Sequence, residues 1–160
     1  MPIPRIYVET SVISYLTSRP SRDLVIAARQ EMTREWWELR NLVFQPLISN
    51  LVIQEVAAGD PGAALLRLQM CQKVEQLGID PAAKELAAKL IEVKAIPAHE
   101  EEDALHIALA TIAQVEYIAT WNFAHMVSPA AKFRLQNHIQ QLNFTSPLLA
   151  TPEELLESLP

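Results

Sequence analysis

The stretch EEDALHIALATIAQVEYIATWNF, residues 101–123, decides the fold. Positions Ala104, Ile107, Ala108, Thr111 and Ile112 follow the i, i+3, i+4, i+7, i+8 spacing of one buried helix face. Asp103 lies four residues before Ile107, so its side chain projects along the edge of that inward face. A carboxylate aimed toward a core is costly unless something compensates it. The helix runs straight into a β-rich segment, Tyr117-Ile118-Ala119, which ends in Thr120-Trp121-Asn122. Polar groups at the carboxyl end of a strand are where open α/β sheets build their sites.

Working outward, the same alternation recurs. Ile6-Tyr7-Val8 reads as a first strand ending at Glu9-Thr10-Ser11, with a helix through about Leu16. A second helix spans about Asp23 to Leu42, with Leu24, Ala28, Met32, Trp36 and Leu39 as its expected buried stripe. Val43 to Ile48 reads as a second strand in which Pro46 implies an irregularity or an edge. Ser49 or Asn50 then caps a helix carrying Leu51, Val52 and Glu55. Gly59-Asp60-Pro61 stops and restarts the chain, and the next helix is expected to bury Ala63, Leu66, Met70 and Val74. Asp80-Pro81 and Ser128-Pro129 each open a helix by capping residue plus Pro in the first turn, while Pro97 interrupts the chain between them. Pro147 to Ala150 reads as a last strand, and Thr151-Pro152-Glu153-Glu154 as a capping box. Strands alternating with helices predict an α/β fold, a three-layer α/β/α sandwich with a central parallel sheet, in a single domain over residues 1–160.

Composition narrows the function. Half of the 160 residues are hydrophobic and 20% are charged, as in soluble globular domains. No apolar run approaches the roughly 18 residues that cross a bilayer, and MPIPRIYVET has no signal-peptide layout. The single cysteine, Cys71, excludes an internal disulfide, suits a reducing cytoplasm and reads as core filler beside Leu68. A formal charge of −6 argues against a nonspecific nucleic-acid coat. Yet Arg19, Arg22, Arg29, Arg34 and Arg40 cluster early, leaving room for a local site.

In a parallel sheet, residues just after a strand, or opening the next helix, converge on one edge. Glu9, Glu55 and Asp103 meet that description, Asn122 is a fourth polar member, and Thr10, Ser11 and Thr120 can supply supporting hydrogen bonds. Two like charges about 4 Å apart cost about 4 kcal/mol at an effective dielectric near 20. Such a cluster either retains protons or binds a hard cation, and oxygen ligands favour Mg²⁺ or Mn²⁺. The bland alternatives are that Asp103 complements the helix dipole, Glu9 is a solvated strand end and Glu55 lies on a helix surface.

The segments IYVETSVISYL (6–16), ISNLVIQEVAAGDP (48–61), EDALHIALAT (102–111), YIATWNFAHM (117–126) and TPEELL (151–156) together resemble the PIN domain family, in particular the VapC-like toxins of type II toxin–antitoxin systems. The resemblance implies a metal-dependent endoribonuclease that uses Mg²⁺ or Mn²⁺ on an RNA substrate and is neutralised by a cognate antitoxin protein. By this resemblance Glu9, Glu55, Asp103 and Asn122 occupy the four motif positions. Glu9, Glu55 and Asp103 are then the expected cation ligands, and Asn122 orients a ligand water. Thr10 and Thr120 match neighbouring hydroxyl positions, and Arg19 and Arg22 are weaker candidates for contacting the RNA backbone. Glu9 and Asn122 stand where Asp is usual, so three carboxylates remain and metal should be held less tightly. That departure motivates the alternative of a catalytically weakened PIN domain serving as a protein-binding module. A homodimer and a cytoplasmic, membrane-free location complete the expectations.

Other chemistries fit poorly. His99-Glu100-Glu101-Glu102 lacks the second His of a zinc protease, an isolated Asp-x-x-His cannot build a di-iron bundle, and three glycines form no phosphate loop. A phospho-receiver needs an Asp at the end of a central strand with a Lys opposite, and no such pair stands out. His106, three residues after Asp103, is expected to pair with it. Trp37 falls off the expected stripe, beside Arg29, Thr33 and Arg40, either partly buried or a protein–protein anchor. His125 is read as loop surface.

Overall fold

The computed structural model describes residues 2–159. In chain order its elements are β1 (Arg5–Val8), α1 (Thr10–Thr17), α2 (Leu24–Val43), β2 (Gln45–Ser49), α3 (Asn50–Val56), α4 (Pro61–Cys71) and β3 (Glu75–Leu77). There follow α5 (Pro81–Glu92), α6 (Glu101–Ile112), β4 (Tyr117–Ala119), a wide turn over Phe123–Val127, α7 (Pro129–Gln141), β5 (Leu148–Ala150) and α8 (Pro152–Glu157). The five strands form one all-parallel sheet ordered β3-β2-β1-β4-β5.

The topology follows from where each strand can find cover. From β1 the chain winds one way through β2 to β3, then crosses back to β4 beside β1 and on to β5. Right-handed crossovers therefore place α1 to α4 on one face and α5 to α7 on the other, with α8 returning to pack on α2. Buried on both faces, the central strands carry continuous apolar runs: Ile6, Tyr7 and Val8 in β1, Leu47 and Ile48 in β2, Ile118 and Ala119 in β4. Each fully buried Ile or Leu contributes about 1.5–3 kcal/mol relative to exposure. Between β1 and β4 the winding direction reverses, and the carboxyl ends of these two strands open a crevice where this fold class places its ligands.

Local signals at the boundaries act as expected. Asp60, Asp80, Ser128 and Thr151 each cap a helix with Pro in the first turn, and Thr151 closes a full capping box with Glu154. Gly59 adopts φ +85°, a left-handed conformation that a Cβ would strain, and so separates α3 from α4. Pro46 sits where β2 pairs with β1 alone, because pairing with β3 begins at Leu47; its missing N–H costs no ladder bond.

Two expected buried stripes fail, and one strand has no counterpart in the sequence reading. The buried face of α2 is Gln30, Thr33, Trp36 and Trp37, whereas Leu24 is 86% exposed and Ala28 is exposed. Polar Gln30 and Thr33 turn inward because each satisfies groups there, an effect that counting apolar residues misses. Trp37 is thus buried, with the Arg40 guanidinium stacked on its ring. Helix α4 packs on α1 and α3 through Ala64 and Cys71, with Leu68 half-buried, while Leu65, Leu66 and Met70 are exposed. Strand β3 has the sequence Glu-Gln-Leu and carries no alternation strong enough to read. Cys71 is buried as expected, and among the described residues no helix is long and apolar enough to cross a membrane.

Candidate functional site

Strand β1 ends at Val8, and the next residue, Glu9, caps α1. The cap folds the carboxylate back over the start of the helix: Oε2 accepts from the Ser11 N–H at 2.9 Å and Oε1 from the Ser11 hydroxyl at 2.6 Å. Oε1 also accepts from the Thr120 hydroxyl at 2.6 Å, across the β1–β4 crevice. Ser11 Oγ in turn accepts from the Trp121 N–H at 2.9 Å, and Thr120 Oγ1 from the Asn122 N–H at 3.0 Å. Glu9 is buried, not a solvated strand end. Its carboxylate is compensated by three donors, as a buried charge must be.

Glu55 lies on α3, and its Oε1 takes the Thr10 hydroxyl and His106 Nε2, each at 2.5 Å. His106 therefore pairs with Glu55 and not with Asp103 as expected. The reason is its position on α6, which faces inward and is essentially fully buried, toward the strands instead of along its own helix surface. Behind it, Tyr7 Oη lies 2.6 Å from His106 Nδ1 and 2.7 Å from Ser49 Oγ, and Ser49 Oγ accepts from the Val52 N–H at 3.3 Å. Burial, reinforced by the charges of Glu9 and Glu55, drives the Tyr7 hydroxyl far above its ordinary pKa, against the opposing Ser49 hydrogen bond. Tyr7 thus keeps its proton. Burial alone would raise the Glu55 pKa and lower that of His106. The hydrogen bond and charge between them win, holding Glu55 below and His106 above their ordinary ranges.

Asp103 sits in the first turn of α6, and its Oδ2 accepts from Asn122 Nδ2 at 3.0 Å. The Asn122 Oδ1 accepts from the His125 N–H at 3.0 Å and so caps the wide turn. The network assigns the amide this way: its NH₂ faces Asp103, and its oxygen is turned away from the position expected for orienting a ligand water. Burial raises the Asp103 pKa, and the charges of Glu100 and Glu9 add to this; the Asn122 bond and His125 oppose it. His125 is half-buried, with Nε2 3.6 Å from Glu100 Oε1. Among the described residues, ligand atoms of Glu100, Asp103 and His125 all lie within 4.8 Å of one another. Glu9 and Glu55 stand outside that set. Neither Glu100 nor His125 was among the expected ligands; their only signal is adjacency to Asp103 and Asn122.

The donor set suits a hard cation in part. Glu9 is largely engaged by protein donors, whereas Glu55 Oε2 and Asp103 Oδ1 accept no hydrogen bond among the described residues. Those two oxygens are the open valences. Arg19 and Arg22 are exposed on the α1–α2 connection. That connection is held by a residue sequence reasoning passed over, Gln30: its Nε2 donates to Ser18 Oγ and the Arg19 carbonyl, and its Oε1 accepts from the Ser21 N–H.

No protein-family model and no characterised protein sequence matches the chain. Solved structures do match. A chain of the VapBC2 complex from Rickettsia felis, bound to a DNA fragment from its promoter, aligns at a TM-score of 0.59 and 13% identity, covering 91% of this chain and 98% of that one. Mycobacterium tuberculosis VapC20, a Sarcin-Ricin loop cleaving toxin, aligns at 0.53 and 19% identity, covering 79% and 93% respectively. At these identities the likeness is one of fold: the chain has the parallel α/β architecture of a VapC-like PIN domain.

Proposed function

We propose that this protein is a divalent-cation-dependent endoribonuclease of the PIN type, the toxin of a type II toxin–antitoxin pair. One observation carries the reading. Glu9, Asp103 and Asn122, far apart in sequence, are linked through Thr120 in one hydrogen-bond system, and Glu55 is held by Thr10 and His106 in a second. Like-charged side chains gathered at a ligand-binding crevice make sense if a cation and a phosphodiester occupy it. The likeness to VapC20 and to VapBC2 supports RNA as substrate and a cognate antitoxin as partner, in the cytoplasm.

In this reading Asp103 would hold Mg²⁺ or Mn²⁺, with Glu55 as a further candidate through its open oxygen and Glu100 and His125 as the neighbouring ligand atoms. The ion supplies charge neutralisation at the scissile phosphate and a more acidic water. The chain's own residues do the positioning. Asn122 fixes Asp103, His106 and Thr10 fix Glu55, and Ser11 and Thr120 fix Glu9. Arg19 and Arg22, exposed on the α1–α2 connection, are the candidates for contacting the RNA backbone. Asp103→Asn should reduce Mn²⁺-dependent cleavage of single-stranded RNA by about a hundredfold or more, with circular dichroism unchanged. Undiminished cleavage would overturn the mechanism.

The amide at Asn122 favours a second reading, in which the domain is catalytically weakened and serves as a protein-binding module. Calorimetric titration with Mn²⁺ separates the two: binding by the wild type supports the nuclease, and its absence supports the module.

A further inference from the structure

Asn122 is flanked by two aromatic residues that the acid cluster does not use. Trp121 is buried, its indole N–H donating to Thr33 Oγ1 at 2.8 Å, with its ring 5.6 Å from that of Tyr15. Phe123 packs beside it at a tilt of 44°, with 6.2 Å between ring centroids, and is 39% exposed. The Arg29 guanidinium, from α2, lies over both rings, 4.6 Å from the Phe123 centroid and 5.6 Å from that of Trp121. Among the described residues Arg29 donates no side-chain hydrogen bond and forms no ion pair. The same holds for Arg19 and Arg22, whereas Arg34 pairs with Glu31 and Arg40 donates to the Trp37 carbonyl. In a chain of net charge −6, Arg29 is thus a guanidinium bonded to no protein acceptor that lies directly over the aromatic pair.

An exposed ring set at a tilt against a buried indole, with a cation on one side whose donors bond no protein group, has the features that bind an unpaired base. The base stacks on the ring, and the guanidinium takes the adjoining phosphate. We propose that Phe123 and Arg29 form a stacking subsite for a single-stranded RNA base next to the scissile phosphodiester. The proposal rests on the ribonuclease reading, because it takes its substrate from that site. Phe123 follows Asn122 directly, and Asn122 is hydrogen-bonded to Asp103, which sets the subsite beside the carboxylate crevice. A purely structural role explains Trp121, which is buried and hydrogen-bonded, but not the exposure of Phe123. A protein ligand would use the neighbouring apolar Val25 and Ile26 and has less need of a free guanidinium group.

The test is fluorescence anisotropy in EDTA, with a labelled oligoadenylate of about a dozen nucleotides and a base-free ribose-phosphate chain of equal length. Phe123→Ala should weaken oligoadenylate binding about tenfold while leaving the base-free chain unaffected, and Phe123→Trp should retain both. Arg29→Met should weaken both probes. The subsite is overturned if Phe123→Ala binds oligoadenylate as the wild type does, if it loses both probes equally, or if the wild type binds neither; unchanged RNA binding would hand the patch to a protein partner. Cleavage with Mn²⁺ is scored separately. A wild type that binds bases through Phe123 but never cuts RNA sinks the nuclease reading and leaves the stacking subsite standing.

Discussion

Replacing Tyr7 by Phe removes one oxygen atom from the most deeply buried polar chain in the molecule. Tyr7 and Ser49 have no exposed surface and His106 has 1%. The hydroxyl bridges His106 Nδ1 at 2.6 Å and Ser49 Oγ at 2.7 Å. Ser49 keeps its bond from the Val52 N–H after the change, so its loss is small. His106 Nδ1 keeps nothing, and a buried group left without a partner costs about 1–3 kcal/mol. The phenyl ring keeps its edge contact with the imidazole, so little packing is lost. The expected destabilisation is about 2 kcal/mol, or about 4–8 °C in Tm for a domain of this size. Urea denaturation should show a lower midpoint at unchanged m-value. Tyr15→Phe is the control: its ring packs on Trp121, but its hydroxyl bonds no protein group among the described residues, and the change should stay within about 0.5 kcal/mol. If Tyr7→Phe unfolds no more easily than Tyr15→Phe, the buried relay does not stabilise the fold and does not hold Glu55 in place.

Asn122→Asp should set two carboxylates against each other where Asn122 now donates to Asp103 at 3.0 Å. In EDTA the variant should melt below the wild type, by an amount bounded by about 4 kcal/mol and reduced by proton sharing. Saturating Mn²⁺ should raise its Tm more than that of the wild type, and equal melting in both conditions refutes a shared cation site. Thr151→Ala removes the cap on the Glu154 N–H and should cost about 1 kcal/mol, read as a lower Tm through loosened packing of α8 on α2. Burial would raise the Glu154 pKa, but Lys132 and the Thr151 N–H hold it below the ordinary value of 4.5. The stability it contributes is therefore present above pH 4.5 and lost as pH falls through the folded-state pKa. Exposed to solvent, the pair is worth at most about 1 kcal/mol, and Glu154→Gln should flatten the acid limb of Tm against pH.

The architecture was legible because its signals are local and redundant. Strands β1, β4 and β5 read directly from short β-rich runs between capping residues, and four of the eight helices open on a capping residue followed by Pro. What failed depended on partners remote in sequence. On α2, Leu24 and Ala28 carry the apolar periodicity, yet the inward positions go to Gln30 and Thr33 because a loop and the Trp121 indole need their hydrogen bonds. On α6 the i, i+3 spacing of Asp103 and His106 suggested a pair. The imidazole instead reaches Glu55, fifty-one residues away, a choice set by the sheet and not by the helix. Strand β3 escaped notice because a short edge strand needs no apolar alternation to be held by β2.

The two departures from the usual acidic pattern acquire physical content once the hydrogen bonds are counted. At position 9 the longer side chain of Glu lets one carboxylate collect the Ser11 N–H, the Ser11 hydroxyl and, from the neighbouring strand, the Thr120 hydroxyl. It thereby ties the end of β1 to the end of β4, and most of its acceptor capacity goes into that tie. At position 122 the amide removes a charge that would face Asp103 and replaces it with a donor that bonds Asp103 Oδ2 at 3.0 Å. Both changes act in the same direction: protein donors take up acceptor capacity in the crevice, while Glu55 Oε2 and Asp103 Oδ1 accept no hydrogen bond among the described residues. A site organised this way should bind a cation weakly but with little reorganisation, because its ligands are already oriented. The balance between those two consequences, not the count of carboxylates, decides how well such a site holds a cation.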